Sequence, residues 1–190
     1  LTRRVVELVP REAGKISMYI CGVTPYAPAH IGHARTAVVY DVLRRYLRHA
    51  GYDVTYVSNY TDVDDKIIKA AQERRVAPLE LSAGFIDEYL RDMASLNVTS
   101  PDVTPRVSES IDIIVDLIQK IEANGYAYRT SDGVYFSVRK DSHYGCLSGR
   151  SVDDMRSGAR VEVNEAKEDP LDFALWKLAK PGEIAWESPW

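Results

Sequence analysis

The stretch from Met18 to His33 constrains the fold of this chain most. A hydrophobic run ends at Cys21 and Gly22, and a loop rich in glycine and proline then leads to His30 and His33. Strand, loop and helix start in this order suit a site for a nucleotide phosphate, because the first turn of a helix offers unpaired N–H groups and a positive dipole end. The cysteine beside this loop indicates a metal or thiol role.

The following residues predict the rest of a βαβ unit. Residues 34–50 carry apolar side chains at helical spacing, and Gly51 follows at the C-terminal capping position. The predicted buried face consists of Val38, Val39, Val42, Leu43, Tyr46 and Leu47. Residues 53–59 are typical of a strand, and residues 60–66 are rich in capping side chains that open another helix. We expect the two strands to be parallel, with a right-handed crossover.

Several chemically active residues converge on one edge of this predicted sheet. In parallel α/β sheets, ligands bind beyond the carboxyl ends of the strands. Cys21, His30, His33, Thr61 and Asp62 all fall there. The fold class is therefore expected to be α/β, with a nucleotide site at that edge.

The second half of the chain is less closely tied to chemistry. We expect helices over residues 78–96 and 107–123, and a hairpin over residues 127–138 with Asp132-Gly133 at its turn. Residues 171–178 predict a short apolar strand. The sequence contains no internal repeat.

The motifs together resemble a known family. His30-Ile-Gly-His33 is preceded by Met18-Tyr-Ile-Cys-Gly22 and followed by Asn59-Tyr-Thr-Asp-Val-Asp-Asp-Lys66. This combination is similar to the N-terminal part of class I aminoacyl-tRNA synthetases, specifically the cysteinyl-tRNA synthetases. Further matching segments are residues 144–148, 158–161, 172–177 and 188–190.

The resemblance implies a domain organisation and an activity. Residues 1–108 are expected to form the first half of a Rossmann-like catalytic domain with parallel strands, and residues 109–190 part of a mixed α+β connective insertion. The implied activity converts L-cysteine and ATP, with Mg²⁺, into cysteinyl-adenylate and pyrophosphate, and then transfers the cysteine to tRNA(Cys). The sequence shows no signal peptide and no apolar run long enough to span a membrane, so a cytoplasmic protein without membrane attachment is expected, as a monomer.

The resemblance also implies roles for individual residues. His30 and His33 are expected to be catalytic, as hydrogen-bond donors to ATP phosphates; caps of the helix or core residues are the alternative. The implied ATP-binding residues are Thr24, His30, Gly32 and His33, and the implied substrate-binding residues are Cys21, Gly22, Tyr26, Thr61 and Asp62. Packing within the turn is the alternative for Thr24 and Tyr26. Asp64 and Asp65 are expected, with Asp62, to bind the ammonium group of the substrate or to order the loop. Capping of the next helix is the alternative for Asp64 and Asp65.

Zinc is implied through Cys21, as one of four ligands that select the substrate thiol over a hydroxyl. A buried, inert cysteine is the alternative. The other ligands, a Cys, a His and a Glu, are expected beyond Trp190, and Cys146 is expected to be incidental. The family's Lys-Met-Ser-Lys-Ser loop does not occur in the sequence. We therefore expect this chain alone to hold no stable zinc and to have little activity.

Composition leaves other functions open. The net charge of −4 gives no polyanion-binding signal, and Arg44, Arg45 and Arg48 are expected to form a solvated face or, alternatively, a tRNA contact. Two separated cysteines predict no disulfide framework. Two alternatives remain: a cysteine ligase that uses an amino-sugar acceptor in thiol-cofactor synthesis, and a non-catalytic nucleotide-binding module.

Overall fold

Two parallel strands joined by a helix begin the first of two units in this computed structural model, which describes residues 4–152 and 167–190. That unit is Glu7–Ser110, and the second contains Ile111–Trp190. Strand β1 (Lys15–Val23), helix α1 (Ile31–His49) and strand β2 (Asp53–Tyr60) form the predicted βαβ arrangement. The parallel pairing of the strands is confirmed.

The remainder of the first unit packs beside β2. Helix α2 (Asp65–Arg74) and helix α3 (Pro78–Ser95) share a small core of Ile67, Ala71 and Leu81. The segment after α3 then runs along β2, with parallel bridges from Val57 to Val103 and from Tyr60 to Arg106. The carboxyl end of β2 is thus fixed on both sides, by β1 and by this segment.

The buried side of α1 differs from the predicted one. Only Leu47 of the expected apolar face is buried, while Val39 and Val42 are 54% and 60% exposed. The residues that α1 buries are Asp41, Arg44 and Leu47. Leu47 joins Met18, Val54 and Tyr56 in the core. The prediction from helical spacing was wrong here, because long-range ion pairs fix the rotation of the helix.

Those ion pairs involve Arg44, Arg45 and Arg48 of α1. Arg44 is 3% exposed and donates to the Ser100 carbonyl at 2.7 Å and to the Asp102 carboxylate at 2.6 Å. Arg45 donates to Asp41, and Arg48 donates to the Val54 carbonyl and to Asp102. Arg44 therefore does not belong to a solvated face, since its guanidinium is buried and ties α1 to the segment after α3. Arg45 and Arg48 remain half exposed, and a tRNA contact through them stays a prediction.

The second unit combines one helix with an antiparallel sheet. Helix α4 (Ile111–Ala123) precedes strands β3 (Ala127–Arg129), β4 (Gly133–Phe136) and β5 (Phe173–Lys177), which pair in that order. The hairpin at Asp132-Gly133 is confirmed. The core of the second unit contains Ile118, Ala127 and Val134, with Trp176 and Trp190 packed against it.

Helix α4 begins later than predicted. Residues 107–110 are held outside the helix: Ser108 donates its N–H and hydroxyl to Asp62, and the Ser110 hydroxyl donates to the Arg106 carbonyl. The motif at 158–161 lies outside the described residues. Within the described ranges, no helix is both long and apolar enough to cross a membrane.

The Arg44–Asp102 pair leads to a stability prediction. In the Asp102→Ala variant, the buried Arg44 guanidinium loses its charge partner, so the free energy of unfolding should fall by about 3 kcal/mol. Asp87→Ala is the matched control, since Asp87 is exposed on α3, and should change stability by less than about 0.5 kcal/mol. Urea denaturation followed by circular dichroism measures both. Equal stability of the two variants would contradict this account of α1.

Candidate active site

A bulge in β1 forms the first part of the candidate site. Ile20 pairs with Ser58 and Val23 pairs with Tyr60, so Cys21 and Gly22 together face the single residue Asn59. The Gly22 N–H donates to Asn59 Oδ1 at 2.9 Å. The backbones approach so closely that a Cβ on Gly22 would lie 1.5 Å from the Asn59 carbonyl oxygen. Only glycine fits at this position.

Cys21 lies on the open side of the bulge. Its thiol is exposed, which excludes the alternative of a buried, inert cysteine. In the described part of the chain, no group of three or more His, Cys, Asp or Glu side chains is placed to hold a metal ion. The residues present therefore do not make up a zinc site, and zinc coordination by Cys21 stays a prediction.

The two substrate residues predicted after β2 have different environments. Thr61 donates its backbone N–H to the Val23 carbonyl at 3.0 Å, and its hydroxyl oxygen accepts from Asn59 Nδ2 at 3.3 Å. Asp62 is only 2% exposed, and both of its carboxylate oxygens accept from Ser108. Asp62 thus faces Ser108, and the expected direct contact with substrate does not fit this structure. Its geometry indicates support of the loop after β2.

His30 and His33 form a stacked pair at the start of α1. Their ring centroids are 3.9 Å apart and the rings are nearly parallel. His30 is the N-cap of the helix, where its Nδ1 accepts from the Gly32 N–H at 3.0 Å, while His33 Nδ1 accepts from the His30 N–H at 3.2 Å. Both histidines therefore make capping contacts at the helix start, and these contacts occupy the Nδ1 atom of each ring.

A ring nitrogen that accepts a hydrogen bond carries no proton, so each neutral imidazole has its proton on Nε2. Among the described residues, neither Nε2 has a hydrogen-bond partner. Burial, and secondly the nearby His30, lower the pKa of His33 from its ordinary value. In its neutral form, each ring thus presents an Nε2–H donor, which agrees with a role in binding phosphate oxygens.

Gly32 has a structural role that the sequence did not predict. A Cβ at this position would lie 2.8 Å from His30 Cε1, so the glycine makes room for the capping ring. The Gly32 N–H is also occupied by that ring, and the His33 N–H bonds to the His30 carbonyl. These two helix-start N–H groups are therefore not available to a ligand. Contact of Gly32 with ATP stays a prediction.

The loop between β1 and α1 carries the remaining predicted residues. The Thr24 carbonyl accepts from the Tyr26 N–H at 3.0 Å. Lys66 Nζ lies 5.4 Å from the centre of the Tyr26 ring, a cation–π distance that brings a positive charge from α2 to this loop. Asp64 is the N-cap of α2, as its capping alternative required. Sequence reasoning assigned no role to Lys66, Ser108 or Asn59, although Lys66 and Asn59 lie in a quoted motif.

The stacked histidines lead to a prediction about pH. The pKa of His33 should lie below 6.5, and it should rise in His30→Asn, because this change removes the neighbouring imidazole while keeping a good N-cap side chain. Folding lowers the pKa of His33. Its contribution to stability is therefore fully present above pH 6.5, the ordinary pKa, and is lost as the pH falls through the lowered pKa of the folded state. Histidine NMR titration measures the shift. A pKa that stays unchanged in His30→Asn would refute the coupling.

The close approach at Gly22 leads to a prediction about stability. Gly22→Ala places a methyl group against backbone that cannot rotate away, so the free energy of unfolding should fall by about 3 kcal/mol. Gly84→Ala is the matched control. A Cβ at Gly84 meets nothing within 4 Å, and the residue lies inside α3, so stability should rise by up to about 1 kcal/mol. Opposite signs in thermal unfolding are expected, and a neutral Gly22→Ala would contradict the bulge geometry.

Comparison with solved structures supports the fold. The methionyl-tRNA synthetase of Mycobacterium tuberculosis bound by methionyl-adenylate aligns with a TM-score of 0.55 and 26% identity, over 65% of this chain and 25% of that one. The agnB2 LeuRS of Agrobacterium radiobacter K84, solved with tRNA and LeuAMS, aligns with a TM-score of 0.53 and 22% identity, over 67% of this chain and 16% of that one. The expected α/β, Rossmann-like class is confirmed.

Comparison with sequences is more specific. The cysteine–tRNA ligases of Desulforamulus reducens and Pyrococcus abyssi are each 53% identical to this chain over all 190 residues. The chain spans 39% and 40% of their lengths. The family model for the class I (C) tRNA synthetase catalytic domain matches residues 7–190. The chain therefore belongs to the class I tRNA synthetases, in the family of this catalytic domain.

Proposed function

We propose that the protein containing this chain is a cysteine–tRNA ligase, which activates L-cysteine with ATP and transfers it to tRNA(Cys). The observation that carries the proposal is the 53% identity, along the whole chain, to proteins named cysteine–tRNA ligase. The chain covers only part of those relatives, so substrates and activity are inferred from the matched region. The site geometry supports the first step of the reaction.

In that step, a carboxylate oxygen of cysteine attacks the α-phosphorus of ATP. A new P–O bond forms, the bond to the bridging oxygen breaks, and pyrophosphate leaves with the electron pair. The protein needs no nucleophile of its own, because positioning and stabilisation of negative charge are sufficient. The Nε2–H groups of His30 and His33 are suited to this task, since their Nδ1 atoms are fixed by the helix start.

The other assignments belong to the same proposal. Thr24 and Gly32 bind ATP beside the two histidines. Cys21, Gly22, Tyr26 and Thr61 form the amino-acid site. Mg²⁺ accompanies ATP, and zinc binds through Cys21 with ligands from outside the described residues. Residues 1–108 supply the first half of the catalytic domain and residues 109–190 belong to an insertion, in a monomeric cytoplasmic protein.

The direct test is cysteine-dependent ATP–pyrophosphate exchange by the full-length protein, with serine as the control amino acid. A second assay follows transfer of radiolabelled cysteine to tRNA(Cys) or to an amino sugar. Exchange with cysteine and transfer to tRNA are expected. Transfer to the amino sugar alone would replace the proposal with the cofactor-synthesis alternative, and nucleotide binding without exchange would replace it with the non-catalytic module.

His33→Ala tests the proposed role of the histidine pair. Loss of one preorganised donor to the developing charge should lower the kcat of pyrophosphate exchange by about 100-fold. His49→Ala is the matched control, because His49 is exposed in the last turn of the same helix and should leave kcat unchanged. Circular dichroism verifies that both variants fold. Full activity of a folded His33→Ala would remove the assignment.

A further inference from the structure

The geometry points to Asn59 as a positioning residue for the amino-acid site: its side chain holds the bulge of β1 and so fixes Cys21, Gly22 and Thr61 relative to one another. This inference rests on the proposed function, since it concerns how the cysteine site is built. Asn59 itself does not need to touch the substrate. Its effect is exerted through the backbone N–H of Gly22 and the hydroxyl of Thr61.

The bulge creates the need for such a residue. Two residues of β1, Cys21 and Gly22, face one residue of β2, so the regular ladder cannot pair every backbone group between Ile20 and Val23. The Gly22 N–H is taken up by a side chain instead, Asn59 Oδ1 at 2.9 Å. A bulge redirects the side chains beside it, and here the adjacent side chain is the exposed Cys21 thiol.

The remaining contacts of Asn59 fix which way its amide points. Oδ1 also accepts from the Tyr19 hydroxyl at 3.0 Å, so two donors converge on the oxygen. Nδ2 must then face the other way, where it donates to Thr61 Oγ1 at 3.3 Å. The amide therefore connects the bulge in β1 to the first residue after β2. A side chain without the acceptor oxygen cannot bind the Gly22 N–H, and one without polar atoms makes neither connection.

The placement of these residues agrees with a role in binding. Successive side chains of a strand point to opposite faces, and Ile16, Met18 and Ile20 face the core beneath α1. Tyr19 and Cys21 are exposed on the opposite face. Asn59 thus links the exposed face of β1 to the predicted substrate residue Thr61, at the carboxyl end of the parallel strands.

The first experiment tests the contact itself in the 190-residue chain. Amide hydrogen exchange by NMR should show the Gly22 N–H protected in the wild type and at least about tenfold less protected in Asn59→Ala, because its acceptor is gone. Thr55→Ala is the matched control, since Thr55 is exposed and lies four residues before Asn59, on the same face of β2. Unchanged protection of Gly22 in Asn59→Ala would overturn the inference.

The second experiment tests the positioning role in the full-length protein by pyrophosphate exchange. Asn59→Ala should raise the KM for cysteine by about tenfold or more and reduce discrimination against serine, while the KM for ATP changes less than twofold. Asn59→Asp keeps the acceptor for Gly22 and should recover part of the KM for cysteine. Thr55→Ala should behave as the wild type. A lower kcat with both KM values unchanged would indicate a merely structural role and overturn the inference.

The two experiments also separate this inference from the proposed function. A wild-type protein that lacks exchange with cysteine overturns the proposed function, and with it the positioning of cysteine, even when the Gly22 amide reports the hydrogen bond. Cysteine-specific exchange together with a normal KM in Asn59→Ala overturns the inference alone.

Discussion

The parallel pairing of β1 with β2 is the interaction on which the rest of the first unit depends. Parallel strands require a crossover, and α1 supplies it, so the carboxyl ends of both strands arrive at one edge. The groups proposed to take part in the chemistry lie at that edge: the bulge at Cys21 and Gly22, the histidines at the start of α1, and Thr61 after β2. Displacement of either strand along the other would separate these groups.

Ion pairs contribute to the attachment of the crossover helix, beside the packing of Leu47. Arg44 and Asp102 lie where an amphipathic helix would normally bury aliphatic side chains, and Arg48 joins the same carboxylate. Burial alone would raise the pKa of Asp102, but the Tyr56 N–H, the Arg48 hydrogen bond and the charges of Arg44 and Arg48 together lower it. A directional attachment of this kind fixes the rotation of α1, and with it the direction in which His33 points.

Much of the fold could be predicted from local patterns. The helices α1 and α3, the strand β2 and the Asp132-Gly133 hairpin all lie close to their predicted limits, because spacing, glycine stops and turn residues are local signals. The start of α4 could not be predicted, since Ser108 is held by Asp62, far away in the sequence. The buried face of α1 was missed for the same reason.

The candidate site was predicted in part. The residues at the strand ends were found because topology brings the carboxyl ends of parallel strands together. Residue type could not reveal that the Asp62 carboxylate accepts hydrogen bonds from Ser108, or that Gly32 makes room for the His30 ring. Both facts depend on three-dimensional contacts. Asn59 carried no distinct signal, because an asparagine at a strand end is usually read as part of a turn.

The capping of α1 by its own histidines has a consequence for release of a bound anion. Because Nδ1 of each ring accepts a backbone N–H, protonation of either imidazole breaks a hydrogen bond of the helix start. The lowered pKa of His33 agrees with this cost of protonation. Under the proposed function, a phosphate at this site accepts hydrogen bonds from neutral N–H donors. Neutral donors bind a ground-state phosphate less strongly than ammonium or guanidinium groups do. Their hydrogen bonds still strengthen as negative charge develops on the phosphate in the transition state. For the reaction proposed above, donors of this kind favour turnover over retention.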